Sequence, residues 1–151
     1  MKFISHRGNI NGREWERENR MDYIYEALEK GFDVEIDVWY SDNQWWLGHD
    51  EPLYKTGTSI FKNKKIWVHV KNPHAFQKIK EIKPCHYFWH DGDDYALTSK
   101  GIVWCHKDAI ILPDSVAVLP ESDDWYKSEL QQCSGICSDV IEHFRQEICT
   151  N

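Results

Sequence analysis

Three acidic residues alternate with three branched aliphatic residues in one short stretch of this 151-residue chain. The stretch reads Asp-Val-Glu-Ile-Asp-Val-Trp and covers residues 33–39. A period of two predicts a β-strand with one apolar face and one acidic face. Carboxylates on one strand face repel one another and resist burial, so the fold must either expose them to water or compensate their charge.

A divalent cation would compensate the acidic face. Residues two apart on a strand lie roughly 7 Å apart at a rise of about 3.3 Å per residue. Glu35 and Asp37 could therefore lean onto one ion at ligand distances of about 2.0–2.6 Å. The alternative, which the residues leave open, is an exposed strand with a solvated acidic face.

Two histidines and an arginine fall at the ends of neighbouring predicted strands. His6 and Arg7 end the first apolar segment, and His49 follows the segment 44–48. An arginine and a cation can neutralise a phosphate, while one histidine takes a proton and the other delivers one to the leaving oxygen. The combination therefore suits cleavage of a phosphodiester.

The order of these residues resembles the HR…ExD…H signature of the glycerophosphodiester phosphodiesterases. His6-Arg7, Glu35-x-Asp37 and His49 stand in that order. This family has a (β/α)8 barrel and is related in mechanism to the phosphatidylinositol-specific phospholipases C. The resemblance is dense over residues 2–53.

Three further segments strengthen the resemblance. Arg17-Glu-Asn19 is similar to a family motif that opens a helix. Trp67-Val-His-Val-Lys71 lies where the family has an E-x-K strand, and Gly135-Ile-Cys-Ser-Asp139 is similar to the motif of the last strand. The chain thus resembles a compact branch of the family.

The resemblance implies a single domain over residues 1–151 with a reduced, TIM-like (β/α) barrel. We expect about seven or eight mostly parallel strands with some crossover helices trimmed, because a full barrel needs at least about 200 residues. The predicted strands are 2–6, 33–39, 44–48, 66–71, 86–90, 102–105, 116–119 and 135–138. The predicted helices are 20–30, 73–82, 122–132 and 139–148.

Two connections, 91–101 and 106–115, are too short for full crossover helices, since a whole crossover takes at least about 10–12 residues. Apolar strand faces would then stay uncovered, and a homodimer could bury them.

The resemblance also implies an activity, the hydrolysis of glycerophosphodiesters to glycerol phosphate and an alcohol. His6 and His49 would act as base and acid. Arg7, Lys71 and a divalent cation would bind the phosphate of this small-molecule substrate.

The implied metal ligands are Glu35, Asp37 and His69. His69 replaces the third carboxylate of the family pattern, which removes one negative charge from the site. Mg²⁺, Ca²⁺ and Mn²⁺ are the expected ions, and the imidazole makes Zn²⁺ possible. A structural role for His69 is the alternative.

Two of the eight tryptophans fall where the rim of a barrel would lie. Trp89 and Trp104 end predicted strands, and an aromatic wall there could pack glycerol or a cationic headgroup. Among the other histidines, His86 and His106 have the surface or packing role that is usual for a lone histidine.

Composition narrows the partners and the location. The chain has 18 Lys and Arg against 25 Asp and Glu, a net charge of −7, which argues against nucleic acid and anionic membranes as partners. No segment approaches the roughly 20 apolar residues of a membrane span. The N-terminal segment lacks a signal-peptide pattern, so we expect a cytoplasmic protein without stable membrane insertion.

Five cysteines without paired spacing are expected to be free thiols.

Three other functions remain open. Glu35 and Asp37 as a glycosidase pair would leave the histidines and the arginine without a role. A phospholipase D-type activity on lysophospholipids or sphingomyelin would use a similar barrel and histidine pair. A catalytically inactive remnant that binds a phosphorylated ligand would not need two proton-transfer groups.

Overall fold

The structure, a computed structural model, describes residues 1–122 and 127–149. Its strands are β1 (Lys2–His6), β2 (Asp33–Ser41), β3 (Gln44–Leu47), β4 (Tyr54–Thr56), β5 (Ile66–Val70), β6 (Tyr87–Trp89), β7 (Tyr95–Leu97), β8 (Val103–Cys105), β9 (Val116–Val118) and β10 (Gly135–Ser138). Its α-helices are α1 (Met21–Glu29), α2 (Pro73–Ile79), α3 (Lys127–Leu130) and α4 (Ile141–Cys149).

The strands form one mixed sheet. A continuous hydrogen-bonded path runs β4-β3-β2-β1-β10-β9-β8-β7, and β5 and then β6 extend from the other edge of β2. The strands β6-β5-β2-β1-β10-β9-β8 run parallel, whereas the β2-β3-β4 segment and the β7-β8 hairpin are antiparallel. β2 is the central strand, because β1, β3 and β5 all pair with it.

The prediction of a TIM-like (β/α) barrel is wrong. The sheet curls into a half-barrel, and only 24% of the molecule is helical, so helices do not alternate with the strands. The physical reason lies in the short connections 91–101 and 106–115. The first forms β7, which folds back antiparallel on β8, and the second consists of turns and irregular chain.

Most of the predicted elements lie close to their expected positions. β4 and β7, each of three residues, were not predicted. The predicted helix 122–132 is only partly observed: a 3-10 turn covers Pro120–Ser122 and α3 covers Lys127–Leu130. The rest of its first half, residues 123–126, lies outside the described residues.

The two faces of β2 enter different layers, as the alternation predicts. Val34, Ile36 and Val38 are fully buried in the large cluster that packs under α1, α2 and α4. The inner face of the half-barrel holds a second apolar cluster, which consists of Ile4, Trp67, Phe88, Trp104, Val116, Val118 and Cys137. The acidic residues of β2 are buried too, so the exposed acidic strand is ruled out.

The helices, the cysteines and the exposed apolar side chains bear on the predictions about membrane spans, disulfides and a homodimer. Each helix of the described chain is too short or too polar to cross a membrane. The five cysteines, all within the described residues, form no disulfide with one another. Several apolar side chains are exposed around β7 and the segment that follows β8, namely Tyr95, Leu97, Ile110 and Leu112. The homodimer stays a prediction.

Candidate active site

Two buried carboxylates form the centre of the site. Glu35 and Asp37 are 2% and 0% exposed and lie on the inner face of β2. Glu35 Oε2 is buried and has no hydrogen-bond partner among the described residues, whereas Asp37 Oδ1 lies 3.0 Å from His69 Nδ1 and 3.7 Å from Lys71 Nζ. Leaving a charged oxygen buried without a partner is costly, so an ionised Glu35 needs a positive species beside it.

Burial acts to raise the pKa of both acids, but the charges around them differ. Burial, and then the charge of Asp37, raise the pKa of Glu35 well above its usual value. Burial also acts to raise the pKa of Asp37, but His69, Arg7 and Lys71 outweigh it and lower that pKa. Asp37 therefore holds its charge more readily than Glu35 does, and a cation beside Glu35 would favour its charged form.

His69 brings a ring nitrogen to the same point. Its Nε2 donates to the carbonyl oxygen of His90 at 2.9 Å, so a neutral His69 carries its lone pair on Nδ1, whereas a protonated His69 donates from Nδ1 to Asp37. Nδ1 then faces Asp37 Oδ1 at 3.0 Å and Glu35 Oε1 at 3.7 Å. One ligand atom from each of these three residues lies within 4.8 Å of the others.

Two cationic side chains also approach Asp37. Arg7 has a positive φ of 57° and places Nε 2.9 Å from Asp37 Oδ2. Lys71 Nζ lies 3.7 Å from Asp37 Oδ1. Arg7 Nη1 also donates to the buried Glu18, at 3.1 Å, so its guanidinium is held between two carboxylates.

Asn19 fixes the orientation of Asp37. Its Nδ2 donates to Asp37 Oδ2 at 2.9 Å, and its Oδ1 accepts from the backbone nitrogen of Asp37 at 2.9 Å. The backbone nitrogen of Asn19 in turn donates to the carbonyl of Arg7 at 3.0 Å. The carboxylate therefore cannot rotate freely, and its second oxygen stays directed at His69.

His6 is oriented by the last strand of the sheet. Its Nδ1 donates to Asp139 Oδ1 at 2.7 Å, directly after β10, which pairs with β1. Burial acts to raise the pKa of Asp139, but the hydrogen bonds and charges of His6, Asn9 and Arg13 together lower it. Nε2 of His6 is left without this proton and lies 3.9 Å from Glu35 Oε2.

His49 is held beside the same acids by Gly48. The backbone nitrogen of Gly48 donates to the carbonyl of Asp37 at 3.2 Å, and its carbonyl accepts from Trp39 Nε1 at 2.6 Å. His49 Nδ1 donates to Asp50 Oδ1 at 2.7 Å. Burial lowers the pKa of His49, the charge of Asp37 raises it, and the charges of Arg7 and Lys71 lower it further.

A cavity of about 110 Å³ brings the predicted groups together. Its lining includes His6, Arg7, Glu35, His49, His69 and Trp104. Trp104 stacks on Phe88 with ring centroids 4.5 Å apart and forms an aromatic wall. The cavity is small, so a phosphate and little else would fit inside it.

Trp89 lies elsewhere. It is half-buried on the outer face of β6, where its ring is 5.9 Å from that of Phe76, and together with Pro73 these residues line a separate apolar groove. Since alternate residues of a strand face opposite sides, Phe88 takes the inward position. A substrate-binding role for Trp89 has no support in this geometry.

Sequence reasoning assigned no role to several residues of the site. Asp139, Glu18 and Asn19 all lie in segments that are similar to family motifs, and this similarity could have marked them as candidate site residues. His90 and His106 also line the cavity, with their rings stacked at 4.7 Å. Nothing local in the sequence marks His106, which was expected to be a surface or packing residue.

Comparisons with protein-family models, with curated proteins and with solved structures found no match to this chain. The family resemblance of the sequence is therefore a hypothesis, and the function has to be argued from the geometry of the site.

Proposed function

We propose that this protein is a metal-dependent phosphodiesterase that hydrolyses glycerophosphodiesters to glycerol phosphate and an alcohol. The observation that carries the proposal is the buried acid pair, which faces Nδ1 of His69 beside a cavity that two further histidines and an arginine line.

The donor set fits a divalent cation. Glu35, Asp37 and His69 would hold it, with two oxygen ligands and one nitrogen ligand. Such a set suits Mg²⁺ and Mn²⁺, tolerates Zn²⁺, and is poor in charge for Ca²⁺. When bound, the ion would neutralise the phosphate of the diester and acidify the attacking hydroxyl.

The side chains of the cavity supply the remaining chemistry. Arg7 and Lys71 would orient the phosphate oxygens. His6 carries its proton on Nδ1, so Nε2 can accept one from the nucleophile as a general base. His49, likewise oriented through Nδ1, would deliver a proton from Nε2 to the leaving oxygen.

The test is a panel of glycerophospho-choline, -ethanolamine, -glycerol and -inositol, together with lysophosphatidylcholine, assayed with Mg²⁺, Mn²⁺, Zn²⁺ or Ca²⁺. We expect turnover of the glycerophosphodiesters that EDTA abolishes. His6→Ala and His49→Ala should each lower kcat by about 100-fold or more. His143, 64% exposed on α4, provides the control variant His143→Ala.

Unchanged turnover in both site variants, with folding confirmed by circular dichroism, would refute the proposal. Turnover of the lysophospholipid alone would indicate the phospholipase D-type activity instead. Binding of glycerol phosphate without any turnover would indicate an inactive remnant.

A further inference from the structure

The outer face of β7 is apolar and open to solvent. Ala96 packs on the inner apolar cluster, so its neighbours Tyr95 and Leu97 point outward, because alternate residues of a strand face opposite sides. Tyr95 is 38% exposed and Leu97 is 69% exposed. The segments 91–101 and 106–115, on either side of β8, form no helix, so neither supplies a crossover helix that would cover this face.

β6 continues the same face toward α2. The backbone nitrogen of Ser99 donates to the carbonyl of Tyr87 at 2.8 Å, and the nitrogen of Tyr87 donates to Ser99 Oγ at 3.0 Å. The chain that leaves β7 therefore lies beside β6. The rings of Tyr87 and Trp89 lie 6.3 Å and 5.9 Å from that of Phe76 on α2, which is itself 41% exposed.

The loop after β8 extends the face on the other side. The hydroxyl of Tyr95 donates to the carbonyl of Ile110 at 2.8 Å, and the side chain of Ile110 is 80% exposed. We call this surface the outer stripe, and its residues are Phe76, Trp89, Tyr95, Leu97, Ile110 and Leu112. Continuous apolar surface of this kind marks a site of association.

Opposite charges lie at the two ends of the outer stripe. The loop 91–94 follows β6 and carries three exposed aspartates. Lys100 is exposed in the turn between β7 and β8, which is the opposite end of that antiparallel hairpin. Lys80, where α2 ends and the chain turns back toward β6, is exposed and has its Nζ 5.9 Å from the ring centre of Phe76. One end of the stripe is therefore acidic and the other is basic.

We propose that the outer stripe binds the outer stripe of a second copy of this chain, in a homodimer with a two-fold axis. Such an axis places the strands of the two copies antiparallel, so the acidic end of each stripe meets the basic end of the other, and each contact forms twice. Like charges at both ends would repel a second copy, whereas opposite charges attract it and fix its orientation. An apolar centre with a charged rim is also the usual composition of a protein interface.

The test is the mass in solution, measured by sedimentation velocity and light scattering from about 1 to about 100 µM, since a dimer depends on concentration. We expect the mass of two chains at the upper end of this range. Leu97→Glu and Ile110→Glu should each raise the Kd of the dimer by about 10-fold or more, because each would bury a carboxylate in the apolar centre. Lys100→Glu should raise it by about 3- to 10-fold by placing like charges together.

Matched controls carry the same substitutions outside the stripe. Leu53 is 51% exposed and follows His49 in the chain, and Lys30 is an exposed lysine at the end of α1. Leu53→Glu and Lys30→Glu should keep the Kd of the unaltered protein. Circular dichroism should be the same for all five variants, since every substituted side chain is exposed in the single chain.

The mass of one chain up to about 100 µM, or a Kd that Leu97→Glu and Ile110→Glu leave unchanged, would overturn the inference. A single chain that sediments with phosphatidylcholine vesicles, and loses this binding in Leu97→Glu, would overturn it too and would assign the stripe to a lipid surface.

Discussion

His69 is the residue at which this site departs most from an all-carboxylate cation site. A carboxylate there would add a third negative charge beside Glu35 and Asp37, whereas a neutral imidazole adds a lone pair and no charge. The hydrogen bond to the His90 carbonyl keeps that lone pair directed at the acids. The ion is therefore expected to be one that accepts nitrogen, with Mn²⁺ bound more tightly than Ca²⁺.

An ion bound to the site should raise the thermal stability of the protein, and this effect can be measured without an activity assay. At a free ion concentration 100 times the Kd, binding stabilises the folded state by about 2.7 kcal/mol, which is a rise in Tm of about 5–10 °C for a chain of this length. We expect Mn²⁺ to raise Tm, measured by calorimetry after EDTA treatment, and Glu35→Gln to remove most of the rise.

Asp33→Asn is the matched control, because Asp33 lies on the same face of β2 but pairs with Lys2 and Trp67. This variant should keep the full response to Mn²⁺. A Tm that does not respond to any divalent ion in the unaltered protein would contradict the cation site.

The hairpin of β3 with β2 carries His49 to the acids. Its last residue is followed by Gly48, whose φ of +149° is one that other residues rarely adopt. A Cβ there would lie 2.1 Å from the carbonyl oxygen of Glu51. The hydrogen bonds of the Gly48 backbone with the Asp37 carbonyl and with Trp39 Nε1 make this position the anchor of the loop that carries His49.

Gly48→Ala should therefore displace His49. We expect a loss of about 1–3 kcal/mol in the free energy of unfolding from the backbone strain, and a fall in kcat because the proton donor shifts. Denaturant unfolding and the diesterase assay measure the two effects.

Gly57→Ala is the control for this variant, since Gly57 has no left-handed φ and open space around its Cβ position. Gly57→Ala should leave both the free energy of unfolding and kcat nearly unchanged. Unaltered stability and turnover in Gly48→Ala would mean that the loop has another anchor.

The interior of the half-barrel is layered, with polar groups at one end and aromatic rings beneath them. Below the site, His86 is 3% exposed and packs on Trp67 with ring centroids 4.0 Å apart. Its Nε2 has no hydrogen-bond partner in the part of the chain that the structure describes. Burial, and then the charges of Lys100 and Lys2, lower the pKa of His86 to about 4.

This buried imidazole predicts a loss of stability in acid. His86 is neutral in the folded state down to about pH 4, whereas in the unfolded chain a histidine takes up a proton below about pH 6.5. The unfolded state therefore binds more protons between these values, and the free energy of unfolding falls as the pH drops through that window. Urea unfolding from pH 7 to pH 4.5 measures the slope.

His86→Phe should flatten that slope, while His143→Gln, an exposed change on α4, should keep it. Parallel slopes for the unaltered protein and His86→Phe would show that His86 does not contribute, and that other groups with lowered pKa values, such as His49 and His90, carry the acid response.

The residues alone were enough to predict the strand 33–39 and the split between its apolar and acidic faces, because both follow from local periodicity. The resemblance implied the gathering of His6, Arg7 and His49 near Glu35 and Asp37, and the antiparallel return of β3 along β2 brings His49 there. The apposition of His6 with Asp139 depends on the pairing of β1 with β10, which joins residues 133 positions apart. The half-barrel likewise arises because the segment 91–101 returns as β7 instead of crossing over as a helix, and the position of His106 in the cavity follows from that curvature. Such contacts depend on how distant segments pack, and no local pattern of residues encodes them.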